Sequence, residues 1–240
     1  MRLDRPDAYW KKDVALFFSK RFALLIKMLY PMAIIVPVAA SGMPAKYAAA
    51  VIGIVAVMAG TFGAGESLTV DLNDGILARV ALTPLSPYRI VFEVLAVNAV
   101  LDLVQLLPAL LIVYLLHPVS LAWMLAATLA VFATLVTANC IGIFIANFTS
   151  SPADVLLYAT AILVPLIYLS GFFRNQHPTG ILQTLRSFVP FSYTDDAMKT
   201  VLGLTTGTTP LEILLYPTII CAVLALAVCL TAPRLLSQRL

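Results

Sequence analysis

Residues 70–89 read VDLNDGILARVALTPLSPYR, with two aspartates, two arginines and two prolines set between long apolar tracts. Of the 240 residues, 61% are hydrophobic and 11% charged, and the mean hydropathy is +0.98, the balance of a polytopic membrane protein and not of a water-soluble domain. In such a chain a polar stretch of this length is a connection held at one membrane face. Its side therefore sets the topology of everything around it. The formal charge of +3 is too small to point to nucleic acid, and the positions of the 15 Lys+Arg say more than their sum. Cys140, Cys221 and Cys229 lie inside apolar runs with no CxxC or Cys/His spacing, and read as packing residues.

Outward from this stretch lie six apolar runs long enough to cross about 30 Å of hydrocarbon. They are Phe22–Ala40, Ala45–Phe62, Ile90–Leu116, Leu121–Phe148, Ala153–Phe173 and Leu211–Ala232. The first follows a basic segment and precedes VAAS, as a signal peptide would. Its apolar core is long, however, Lys27 lies within it and Met1 is retained, so it is read as a span. Six spans place both termini on one side. Arg2, Arg5, Lys11, Lys12, Lys20, Arg21, Arg79, Arg89, Arg234 and Arg239 fall on that side, against Lys46, Arg174, Arg186 and Lys199 on the other. The bias makes both termini and residues 70–89 cytoplasmic.

The expected architecture is all-α, a single permease domain over 1–240. Residues 1–21 form a cytoplasmic interfacial helix, 22–173 carry spans 1 to 5, 174–210 form an external hairpin, 211–232 make span 6, and 233–240 are a cytoplasmic tail. Ahead of span 1, Trp10, Val14, Phe17 and Phe18 repeat at i, i+4, i+7 and i+8 with Lys11, Lys12, Asp13 and Lys20 on the rest of the wheel. That is the pattern of a helix lying in the headgroup plane; a charged, aromatic-belted entrance to span 1 is the alternative.

Within the opening stretch, Leu68, Leu72, Ile76 and Val80 share a helical stripe, away from Glu66, Asp71 and Asp74. Gly75 costs about 1 kcal/mol inside a helix, so a bend or two short helices is expected, with Asn73 or Asp74 capping the second. Thr83-Pro84 stops it, and Ser86-Pro87 reads as an N-cap and N1 that restart the helix of span 3. The result is a short cytoplasmic helix isolated between two breakpoints.

At this point the chain resembles the membrane subunits of type-2 ABC exporters, in particular drug-resistance permeases. In that family the loop between spans 2 and 3 carries an acidic residue, a Gly, an Arg and a Pro-Leu-Ser turn, met here by Asp71, Gly75, Arg79, Pro84, Leu85 and Ser86. After span 5, LSGFF with Gly171 and Phe173, then Pro190 and Tyr193-Thr194-Asp195-Asp196, look like the family's re-entrant external hairpin. The resemblance implies that the short helix, with Asp71, Asp74, Gly75, Arg79 and Pro84, is a coupling helix docking on a separate ATPase subunit. It also implies a second permease copy or a paralogue completing the path. No cofactor is expected on this chain, ATP and Mg being used by the partner, because no GxxxxGK[ST] occurs and the tail PRLLSQRL leaves no room for a fused nucleotide-binding domain. The implied cargo is a hydrophobic or amphipathic small molecule leaving the cytoplasm across a prokaryotic plasma membrane. Lipid, polysaccharide, haem-like or sodium export are alternatives in the same architecture.

Polar residues inside spans are costly unless they face protein or water. Asp102 and Gln105 lie three apart in span 3, so they share a face, and Asn139 falls within span 4. Together they are candidates for the pathway or the dimer interface; the plainer reading is that Asp102 hydrogen-bonds a neighbouring helix or is held protonated. Lys27 and Glu93, near cytoplasmic span ends, are read as snorkelling. The prolines Pro31, Pro37, Pro108 and Pro165 are expected to kink spans 1, 3 and 5. PTGILQTLRSF (178–188) is expected to be a short amphipathic piece dipping into the outer leaflet. His117 and His177 sit in external loops with no HExxH or GxSxG, which speaks against an intramembrane hydrolase. An ion-gradient-driven carrier is the rival from another class, and there is no inverted repeat to support it.

Overall fold

The computed structural model describes residues 10–19, 21–76, 86–117, 119–172, 180–189, 191–204 and 210–237. Among these residues the regular structure is all helix: α1 Trp10–Ser19, α2 Arg21–Ala40, α3 Ala45–Asn73, α4 Pro87–Leu116, α5 Leu121–Ala146, α6 Pro152–Ser170, α7 Ile181–Phe188, α8 Phe191–Val201 and α9 Pro210–Ser237. Four of them contain stretches long and apolar enough to cross a membrane: Lys46–Asn73, Pro87–Leu116, Leu121–Ala146 and Pro152–Ser170. Leu24–Ala40 and Pro217–Thr231 are shorter apolar stretches of the same kind.

Local chemistry explains the helix ends. Ser86 has extended backbone and its Oγ accepts from the Arg89 N–H at 3.3 Å, with Pro87 as the first helical residue, the start expected for α4. At the head of α6, Ser151 Oγ accepts from Asp154 N at 3.2 Å while Asp154 Oδ2 accepts from Ser151 N at 3.1 Å, a reciprocal capping box. The same helix stops at Gly171, whose φ of +87° lies in the left-handed region. Pro31, Pro37, Pro108 and Pro165 all sit inside continuous helices.

Span 2 departs from the expected Ala45–Phe62. Helix α3 runs unbroken for 29 residues to Asn73, because the stripe of Leu68 and Leu72 stays packed against Ile90, Val91 and Val94 of α4 and Ile143 of α5. The break does fall at Gly75, with φ +65°, but it is a C-terminal stop. Asp74 N donates to Val70 O at 2.9 Å and Gly75 N to Leu72 O at 3.2 Å, so Asp74 closes α3; the second helix it was expected to cap lies outside the described residues. Asn73 likewise belongs to α3, and its Nδ2 donates to Ser150 O at 2.9 Å, tying the helix end to the turn before α6.

The centre of the bundle is the pair α3 and α5, the most extensive helix contact. Of its apolar window α5 buries 72%, against 22% for α6, which makes α5 the hub and α6 a peripheral helix. In lipid there is little hydrophobic drive to bring helices together, so close packing of small residues supplies the attraction. Gly60, Gly65 and Gly142 provide it: a Cβ on Gly142 would fall 2.3 Å from Thr61 O, and one on Gly60 would fall 2.8 Å from Ala138 Cβ. Larger side chains fill the flanks, with Ile35, Ile52, Leu106, Leu110 and Leu135 in one cluster and Leu163, Phe172 and Phe191 in another. Helix α8 packs on α3 and α5, and α9 lies along α5 and α4.

Candidate functional site

A cleft of about 610 Å³ opens between α2, α3 and α4, with Phe17 of α1 at one end. Its walls are largely apolar, including Tyr30, Met58 and Phe62, and its polar groups are Lys27, Glu66, Ser67, Asn98, Asp102 and Gln105. Asp102 and Gln105 share it, as their spacing predicts. Asn98 joins them from one turn earlier on α4, at the first position of an i, i+4, i+7 face with Asp102 and Gln105 that the sequence reading did not extend back to it.

Asp102 is buried, and Asn139 of α5 reaches it from behind the cleft, Nδ2 donating to Oδ2 at 3.1 Å. Asn139 does not line the cleft; it holds the carboxylate that does. The other oxygen, Oδ1, faces α3 at Gly63, where a Cβ would stand 3.2 Å away. Nothing local in the sequence singles out Gly63 for this part. Asn98 donates one N–H of its Nδ2 to Val94 O at 2.9 Å, which leaves its second N–H and its carbonyl oxygen.

The residues expected to couple to an ATPase are placed in part. Asp71 is buried, contrary to the expectation that it lies away from the packed stripe, since one turn on from Leu68 it is carried inward as α3 continues. Asp74 and Gly75 form the α3 terminus described above. Arg79 and Pro84, with the short helix they were assigned to, lie outside the described residues. Just beyond, Glu93 does more than snorkel: Oε1 accepts from Arg89 Nε at 2.8 Å, and Oε2 accepts from Trp10 N at 3.4 Å at the start of α1. The interfacial helix is thereby tied to the first turns of α4. Its Phe17 is buried, with Lys27 Nζ 5.7 Å from the ring centroid.

On the opposite end of the bundle, the hairpin is organised around Arg186, which the sequence reading used only for topology. From α7 its Nε donates to Ser170 O at 2.9 Å and its Nη2 to Asp196 Oδ1 at 2.6 Å, with Asp195 Oδ2 3.7 Å off. Gly171 leaves room for that reach, a Cβ there falling 3.3 Å from Arg186 Nε. Tyr193 OH donates to Ser187 O at 2.9 Å and closes the α7–α8 corner. Helix α7 itself buries nothing; Ile181, Leu182, Leu185 and Phe188 are all exposed, in keeping with the amphipathic piece expected there. Phe173 and Pro190 lie outside the described residues.

Asp195 is fully buried on α8. Its Oδ2 accepts from Lys199 Nζ while Oδ1 has no hydrogen-bond partner among the described residues. Burial pushes its carboxyl up to about 6, against the pull of Lys199. Among the described residues no three His, Cys, Asp or Glu side chains converge on a point that would hold a metal ion.

A chain with this helical bundle, its apolar spans and a polar cleft within them matches the family described as ABC-2 type transporter over residues 8–202, and it belongs to that family. A search of curated proteins returns no match. The matched region reaches from before α1 to the end of α8, so it takes in the cleft, the coupling segment and the hairpin together. It is a transporter membrane component, the part of such a system that does not hydrolyse ATP.

Proposed function

We propose that this ABC-2 family chain is the membrane subunit of an ATP-driven exporter in a prokaryotic plasma membrane. In this reading α2 and α9 join α3, α4, α5 and α6 as spans, giving six with both termini in the cytoplasm. A second copy or a paralogue completes the path, and separate ATPase subunits drive it. The cargo is a hydrophobic or amphipathic small molecule.

The observation that carries this reading is the cleft. A cavity of about 610 Å³ is in the range of small-molecule sites, and apolar walls with a few placed polar groups suit an amphipathic occupant. The lever of this reading is residues 77–85, bounded by the Gly75 stop of α3 and the Ser86-Pro87 start of α4. Arg79 within it contributes a charged contact to the ATPase.

The test is co-expression with a P-loop ATPase, purification, and reconstitution in vesicles. ATP-dependent movement of an amphipathic compound supports the reading. Arg79→Ala is expected to leave the chain assembled while separating hydrolysis from transport, and unchanged coupling in that variant removes the lever assignment. Transport that follows an imposed ion gradient without ATP would establish the secondary carrier instead.

A further inference from the structure

The cleft has a direction. Lys27 stands six residues into α2 and Glu66 seven residues before the end of α3, about 10 Å along each helix from its terminus. Asp102 is fifteen residues beyond Pro87, about 22 Å along α4. The cavity therefore runs from near the ends of three helices to the middle of the bundle, with Glu66 and Lys27 toward its mouth and Asp102 at depth.

Its deep end offers acceptors. Asp102 Oδ2 is occupied by Asn139, and Oδ1 is turned to the space left by the missing side chain of Gly63. Asn98 spends one of its two N–H donors on Val94 O and keeps its carbonyl oxygen as an acceptor beside the other N–H. Lys27 is the one basic side chain among the described lining residues, and it is drawn toward Phe17. Two carboxylates face one ammonium in the lining; the charge of Lys27 reaches Asp102, and the cleft still keeps one acidic side chain in excess. Beside these acceptors Tyr30, Met58 and Phe62 give an apolar and aromatic wall.

We infer that the deep end of this cleft binds an organic cation, an ammonium group carried on an apolar body, with the charge at Asp102 Oδ1 and the body along Tyr30, Met58 and Phe62. The inference rests on the reading that the cleft belongs to the cargo path, and it narrows that cargo to one charge class. A charge pair far from bulk water is strong and selective, because a neutral or anionic analogue leaves the carboxylate without a counterion.

The experiment uses the full chain in phosphatidylcholine nanodiscs and needs neither ATP nor the ATPase. A dansyl-labelled alkylammonium is titrated against its alkylcarboxylate counterpart of equal length, with empty discs as the partition control. Saturable binding of the ammonium probe is expected, with the carboxylate probe indistinguishable from empty discs. Asp102→Asn keeps a hydrogen-bonding partner for Asn139 and should weaken ammonium binding by at least about tenfold. Gly63→Ala, which crowds Oδ1, should weaken it by about threefold. Equal binding of the two probes, or unchanged affinity in the variants, overturns the inference; if Asp102→Asn does not assemble, Gly63→Ala and the probe pair decide alone. Ammonium binding without ATP-driven efflux would sink the exporter reading and leave the cation site standing. ATP-driven efflux with no charge selectivity would do the reverse.

Discussion

Helix α3 presents two faces built from the same small residues and used in opposite ways. On one, Gly60, Thr61 and Gly65 meet Ala138 and Gly142 of α5, and the two backbones close until nothing fits between them. On the other, Gly63 sits with Met58, Phe62 and Glu66 on the border of a cavity, and its missing side chain makes room for a carboxylate. A glycine in a membrane helix thus seals or opens according to what stands across from it. Small residues opposite give contact, and a charged group opposite gives space.

The sealed face is the more easily broken. Gly142→Ala places a methyl 2.3 Å from the Thr61 carbonyl oxygen, a backbone atom that cannot step aside without moving the helix. We expect a loss of about 3 kcal/mol, read as a lower unfolding temperature in detergent. Wild-type stability in that variant would mean the seam is looser than its geometry implies.

The sealed side continues outward where α8 packs on α5, and there it is sensitive to pH. The folded Asp195 carboxyl lies near 6, above its ordinary value of 3.8. The stability linked to protonation is therefore fully present below about 4 and lost as pH rises through 6, roughly 3 kcal/mol in all. Asp195→Asn should flatten the unfolding free energy between pH 4 and 7. An unaltered slope would assign the dependence to another group.

The boundary between the two faces is tested by Asn139→Ala. It removes the donor at 3.1 Å from Asp102, for an expected loss of about 1 kcal/mol. Smallest is Gly63→Ala, expected to change stability by less than about 0.5 kcal/mol, because the atom it meets is the end of a side chain. A loss as large as that of Gly142→Ala would show that the two faces are not different in kind.

Much of this was legible in the sequence. The Ser86-Pro87 start of α4, the break at Gly75 and the shared face of Asp102 and Gln105 depend on residues within a turn or two of each other. Other features join distant parts of the chain. Asn139 is 37 residues from Asp102, and Gly63 approaches it from another helix. Arg186 carried no local mark of the clamp it forms on Ser170 and Asp196. The burial of Asp71 was misread because the hydrophobic stripe was taken to end α3 early, whereas packing on α4 and α5 carries the helix to Asn73.

By itself the sequence determined an apolar helical bundle with a polar, doubly punctuated connection after its second span, because hydropathy, capping and proline geometry act over a few residues. Only the tertiary structure decided that one face of α3 is sealed and the other open, and that Asp102 is held from behind by Asn139 while it borders the cleft in front. Both outcomes depend on which side chains of separate helices come opposite one another, and helical periodicity alone leaves that choice undetermined.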